Sequence, residues 1–98
     1  MTISKKTDGN SLVLALSGRL DTTTAPQLEE EVNSSLEGVK ELTLDFTELN
    51  YISSAGLRVL LAAQKKMNVQ GSMKVTGVND TIQEIFEVTG FSEILNIE

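Results

Sequence analysis

Three short β-type runs, SLVLAL (11–16), ELTLDF (41–46) and SMKVTGV (72–78), are separated by longer segments whose apolar residues recur at three- and four-residue spacing. This alternation constrains the chain more than any other feature, because strand and helix periods exchange places along the sequence and argue for an α/β architecture with crossover helices. SLVLAL follows the turn signal Asp8-Gly9-Asn10 and reads as a strand buried on both faces, with TISKK (2–6) supplying a hairpin partner. Gly18 reads as the break that ends it. Thr24 then reads as an N-cap with Gln27 completing a capping box, and Pro26 sits in the first turn, where a missing N–H costs nothing. Glu29, Glu30 and Glu31 fall near the positive helix end, Leu28, Val32 and Leu36 form its apolar stripe, and Gly38 is a natural stop.

In ELTLDF, Leu42, Leu44 and Phe46 point one way and Thr43 and Asp45 the other, so the run is a strand, and TELN (47–50) reads as a turn or a short helical turn. From Ser54 to about Met67, residues Leu57, Leu60, Leu61 and Met67 fit a helical stripe, with Ala62 and Ala63 allowing close approach and Gly71 ending the element. SMKVTGV points Met73 and Val75 inward. Asn79 or Asp80 caps a third helix with Ile82, Ile85 and Phe86 on one face, and Gly90 suits its left-handed C-terminal position. SEILNI (92–97) reads as a last short strand or an extended tail.

The chain has 98 residues, which predicts one domain over 1–98. It has no cysteine and no histidine, so disulfides, the usual structural zinc sites and a Ser-His-Asp triad are all excluded. Fourteen acidic against eight basic side chains give a net charge of -6, which repels nucleic-acid phosphates. The N-terminus has no apolar signal region, and the apolar runs are too short to span a bilayer. The expectation is a cytoplasmic protein with no cofactor, no nucleic-acid partner and no membrane insertion.

The chemistry concentrates in YISSAGLRVLL (51–61), where Ser53 and Ser54 precede Ala55 and Gly56 at the start of a helix. Serine is a favoured N-cap worth about 1 kcal/mol over alanine, and one serine would satisfy that need. Two serines with Ala55 and Gly56 make the first turn open, with nothing bulky to shield its free N–H groups, an end suited to an anion. A nucleophilic serine lacks a base, and SSAG lacks the glycines and lysine of a Walker loop. Covalent phosphorylation remains beside the capping role, since a helix N-terminus tolerates the added negative charge.

Three segments carry a resemblance: LALSGRLDTTTAPQLEEEV (14–32), ELTLDFTELNYISSAGLRVLLAAQKKM (41–67) and GSMKVTGVNDTIQEIFEVTGF (71–91). With the order and length of the elements, they resemble the STAS domain, specifically the stand-alone anti-sigma factor antagonists. The resemblance implies an α/β fold with a mixed sheet of four to five strands and three or more helices packed mainly on one face. It implies a binding protein rather than an enzyme, whose partner is an anti-sigma factor, often a serine kinase, and whose docking releases a sigma factor. Phosphorylation of a serine at the start of the second helix turns binding off, and a serine phosphatase restores it. The family motif Asp-Ser-Ser/Thr/Ala-Gly-Leu places Ser54 at the phosphorylated position, with Ala55, Gly56 and Leu57 following. Ser53 stands where many members carry Asp and is the second choice of acceptor. The implied partner surface comprises Asp21, Thr22, Thr23, Ser53, Ser54, Ala55, Gly56, Leu57 and Arg58.

Each of these has a plainer role beside the functional one. Asp21 suits a loop before a helix, where its charge favours the dipole, and Arg58, Lys65 and Lys66 suit a solvated helix surface. Asp45 ends a strand as a receiver-domain phosphoacceptor does, but its companion acidic pair and lysine are missing, so a turn or capping carboxylate is the better reading. A second function class, a non-switching STAS accessory subunit of a transport or signalling complex, is set apart by whether the helix-start serine is modified. Nucleotide binding, a third class, has no phosphate motif here.

Overall fold

The computed structural model describes residues 1–98. Strands β1 (Thr2–Asp8) and β2 (Ser11–Leu20) form an antiparallel hairpin, followed by α1 (Ala25–Ser35), β3 (Glu41–Ile52), α2 (Ser54–Gln70), β4 (Ser72–Thr76) and α3 (Asp80–Thr89). A short 3-10 turn, Phe91–Glu93, follows α3. The sheet is mixed, in the order β1-β2-β3-β4, with β2, β3 and β4 parallel. The final segment is mostly tail: it touches β4 through one parallel bridge between Val75 and Ile97.

The register explains where the core sits. Leu12, Leu42 and Met73 lie side by side, as do Leu14, Leu44 and Val75, and all six are buried on the face that meets the helices. Leu28 and Val32 of α1, Leu60, Ala63 and Met67 of α2, and Ile82 and Phe86 of α3 complete one core of 24 buried residues. The Phe46 and Phe86 rings, 6.5 Å apart, join β3 to α3 within the range of aromatic pairs. Within α2, Val59 joins the buried stripe, whereas Leu61 is half-buried and Ala62 is exposed. The other sheet face is uncovered, which corrects the expectation that β2 is buried on both sides. Val13 and Ala15 are half-buried there, beside Thr43 and Asp45.

Two further expectations fail for one reason, irregular pairing between β2 and β3. Gly18 does not end β2; it takes φ +92°, and the strand continues to Leu20. TELN is neither a turn nor a helical turn but part of β3. Between the pairs Ala15–Asp45 and Ser17–Glu48, β3 spends three residues against two of β2, and between Gly18–Leu49 and Arg19–Tyr51 it spends two against one. Each extra residue is a β-bulge that re-aims the strand. The buried positions of β3 therefore fall at Leu42, Leu44, Phe46, Leu49 and Ile52, a spacing of two that lengthens to three. Asp45 is the carboxylate that holds the first bulge: its Oδ1 accepts from the Thr47 N–H at 3.0 Å and the Thr47 hydroxyl at 2.6 Å.

The helix ends are fixed by polar contacts. Asn79 caps α3 by accepting from the Ile82 N–H at 2.8 Å, and its Nδ2 donates to the Leu49 carbonyl at 3.1 Å, clipping the helix to the second bulge. Gly90 adopts the left-handed conformation expected of it, with φ +82°. The Gln70 amide donates to the Leu36 and Val39 carbonyls at 2.6 and 2.7 Å, tying the end of α2 to the end of α1.

Candidate functional site

The site lies where β2 and β3 end together. Leu20 and Ile52 are register partners, and the chain leaves Ile52 directly into α2. Ser53 occupies the N-cap with extended backbone (φ −101°, ψ 176°) and donates its N–H to the Leu20 carbonyl at 2.9 Å. Its own carbonyl accepts the first helical bond, from Leu57 N–H at 2.9 Å. Ser54 is the first residue of the helix, and its side chain is exposed.

Two sequence expectations about this turn are corrected. Gly56 does not open it to solvent. Gly56 is buried, and a Cβ there would lie 2.7 Å from Leu20 Cγ and 2.8 Å from Ile52 Cγ1. The glycine allows α2 to press onto the ends of both strands, which fixes the height at which Ser54 stands. Ser53, although placed as the N-cap, makes no side-chain capping bond. Its Oγ is buried without any hydrogen-bond partner. The N–H groups of Ser54, Ala55 and Gly56, which precede the first helical bond, also have no acceptor in the protein.

The neighbouring β2–α1 loop is held by its own side chains. Asp21 Oδ1 accepts from the Thr23 N–H at 3.0 Å, the Thr23 hydroxyl at 2.8 Å and the Thr24 N–H at 3.2 Å. Chiefly the Thr23 hydroxyl, aided by these N–H groups, holds the Asp21 carboxyl below its ordinary range against a smaller opposing effect of desolvation. Thr24 does not form the predicted capping box; its hydroxyl accepts from the Asp21 N–H at 2.8 Å and donates to the Arg19 carbonyl at 2.8 Å. Glu29, Glu30 and Glu31 lie beyond the first turn of α1, outside the reach of its positive end.

Between the starts of α1 and α2 lies a cleft of about 250 Å³. Thr22, Ala25, Pro26 and Glu29 line one side; Ala55, Arg58 and Val59 line the other. The structure thus brings Thr22, Ala55 and Arg58 together beside Ser54. It turns Gly56 and Leu57 inward, where they support the surface rather than form it. Thr23 is exposed, with its hydroxyl committed to Asp21. Pro26, Glu29 and Val59 belong to the cleft, although sequence spacing assigns Pro26 and Glu29 only to helix formation. Arg19 and Tyr51 also escape the sequence reading. They are register partners, the guanidinium lies 4.5 Å from the ring centroid, and its Nε is 3.7 Å from Asp21 Oδ2.

Fold and site together define a small α/β interaction domain, with an exposed hydroxyl at a helix start beside a shaped, partly apolar surface. The chain belongs to the STAS family: the family model described as "Mlab, STAS domain" matches residues 3–96. It is 37% identical over 94 residues to BtrV of Bordetella bronchiseptica, provisionally assigned as an anti-sigma factor antagonist, covering 94% of this chain and 80% of that protein. It is 34% identical over 97 residues to the anti-sigma-B factor antagonist of Listeria monocytogenes, covering 96% and 84% respectively. Among solved structures, an anti-sigma factor antagonist from Mycobacterium paratuberculosis superposes with a TM-score of 0.88 at 22% identity, over 98% of this chain and 83% of that one. SpoIIAA superposes in its unphosphorylated form with a TM-score of 0.78 at 16% identity, over 99% and 87%. In its phosphorylated form SpoIIAA gives 0.77 at 17% identity, over 99% and 91%. Such proteins act by binding rather than by catalysis. No helix of this chain is long and apolar enough to cross a membrane.

Proposed function

We propose that this protein is an anti-sigma factor antagonist. It docks on an anti-sigma factor through the α2 start, the Asp21–Thr24 loop and the cleft between α1 and α2, and so releases a sigma factor. In this reading the anti-sigma factor is a serine kinase that transfers the γ-phosphoryl group of ATP to Ser54. The Ser54 Oγ–phosphorus bond forms as the bond to ADP breaks, and the hydroxyl proton passes to a base of the kinase. A serine phosphatase reverses the step by hydrolysis. The observation that carries the proposal is the exposure of Ser54 at the first position of α2, next to a buried Ser53 hydroxyl that an enzyme cannot reach.

The switch requires no refolding. Phosphorylation adds about 1.5 to 2 negative charges and fills space that small residues leave to a partner. A misplaced charge in an interface costs several kcal/mol, and every ~1.4 kcal/mol weakens binding tenfold. That this fold matches SpoIIAA about equally well in its unphosphorylated and phosphorylated forms, with TM-scores of 0.78 and 0.77, is consistent with a switch that keeps the fold.

The test combines site mapping with calorimetry. After incubation with its anti-sigma factor and ATP, mass spectrometry should find phosphate on Ser54 and none on Ser54→Ala. Ser54→Ala should bind the anti-sigma factor as wild type does, and Ser54→Asp should lose at least about 100-fold, or two such tenfold steps. An unmodified Ser54 with tight partner binding would overturn the proposal in favour of a non-switching accessory role.

A further inference from the structure

The start of α2 carries more hydrogen-bond donors than the protein uses. The other two helices are served: Asp21 accepts from the N–H groups leading into α1, and Asn79 accepts from Ile82 N–H at the start of α3. At α2 the N–H groups of Ser54, Ala55 and Gly56 have no acceptor, and the residue placed to cap them does not. Ser53 Oγ is instead buried and unpartnered, although buried polar atoms are rarely left so. One rotation about χ1 carries a serine hydroxyl between alternative partners.

A cation lies one helical turn from the same end. Arg58 is exposed and lies four residues after Ser54, on the same face of the helix. It forms no ion pair, for the chain's three salt bridges are Lys5–Glu31, Arg19–Asp21 and Lys74–Glu98. Glu29 lines the same cleft but does not engage it. Asp21, the other nearby carboxylate, is occupied by Thr23, Thr24 and Arg19. An acidic group preceding a basic one by four residues is the favourable helix orientation.

These unspent donors converge on one kind of acceptor. We propose that the phosphoryl group on Ser54 is received by the chain itself, through the Ser53 hydroxyl, the free N–H groups of Ala55 and Gly56, and the Arg58 guanidinium. The inference rests on Ser54 being the modified residue and adds how the modified state is kept. Ser53 and Arg58 form an internal clamp that holds the dianion against α2, steadies the phosphorylated form and shields it from the phosphatase. A hydroxyl at position 53 donates to a phosphate oxygen, which a carboxylate there would repel.

The experiment needs no kinase. Phosphoserine is installed at position 54 during translation, and its second ionisation is followed by phosphorus NMR, in the folded protein and in the same chain unfolded in urea. In the folded wild type it should lie at least about 0.5 pH unit below the unfolded value. Ser53→Ala and Arg58→Gln should each return about 0.3 pH unit of that difference, and Ser53→Asp should move it above wild type. The Gly56 amide proton should move downfield as the dianion forms. Equal ionisation in the folded and unfolded wild-type chains overturns the clamp, as does a difference that neither Ser53→Ala nor Arg58→Gln reduces. Arg58 is exposed, so its variant folds regardless of the fate of Ser53→Ala. An unmodified Ser54 in the kinase experiment defeats the switch itself; a flat titration on a Ser54 that is modified defeats only the clamp.

Discussion

Replacing Gly56 by alanine tests the contact that sets the height of the site. The new methyl would meet Leu20 Cγ at 2.7 Å, Ile52 Cγ1 at 2.8 Å and Leu20 Cδ2 at 3.0 Å. Carbon atoms prefer separations of about 3.5–4.0 Å, so roughly 1 Å of movement is needed. Neither neighbour yields easily, because Leu20 is 0% and Ile52 1% exposed and both are locked in the core. Overpacking of this kind costs about 1–3 kcal/mol, while exchanging glycine for alanine in a helix returns at most about 1 kcal/mol. The net expectation is a loss of up to about 2 kcal/mol, with the melting temperature lowered by about 4–8 °C per kcal/mol for a chain of this size. Urea denaturation of the wild type, Gly56→Ala, Leu20→Ala and the double variant closes a cycle. Leu20→Ala opens space beside residue 56, so alanine there should cost at least about 1 kcal/mol less in that background. If Gly56→Ala exceeds wild-type stability, or the cycle shows no coupling, α2 is not pressed onto the strand ends as described.

Two other substitutions test the polar contacts that frame the site. Asn79→Ala removes the α3 cap and leaves the Leu49 carbonyl without its side-chain donor, and should lower stability by about 1–2 kcal/mol in urea denaturation. Asp21 has its carboxyl held below the ordinary range when folded, so its contribution is present above the unfolded value near pH 4 and is lost as pH falls through the lower folded value. Asp21→Asn should therefore be less stable than wild type at pH 6, with the gap closing towards pH 2; a gap that persists in acid would show that the carboxylate charge is not what holds the loop.

Much of the architecture is legible in the sequence because apolar spacing is a direct record of burial. Leu42, Leu44 and Phe46 announce a strand, and Leu28, Val32 and Leu36 a helix face. The reading fails where the record is interrupted. At the bulges of β3 the inward spacing stretches to three, and Thr47–Asn50 then resembles a turn of polar residues although the strand passes through it. The site divides in the same way. The pair Ser53-Ser54 is visible as a helix start, but the sequence does not reveal that one hydroxyl faces solvent and the other is enclosed. Gly56 shows the same limit. Its smallness is evident in the sequence, whereas the direction it faces depends on Leu20, thirty-six positions earlier. Arg19 and Tyr51 meet only because two irregular pairings bring them level, which no local pattern encodes.

The outer strands bear on how this molecule keeps company. Along β4 the chain's own last residues take up backbone groups, with Val75 N–H donating to the Asn96 carbonyl and Glu98 N–H to that of Val75. At the opposite margin β1 carries Lys6, an ammonium group that a second sheet would have to strip of water before it could add on, and Lys5, whose ammonium is already paired with Glu31. Lateral growth into ribbons is thus obstructed at both borders.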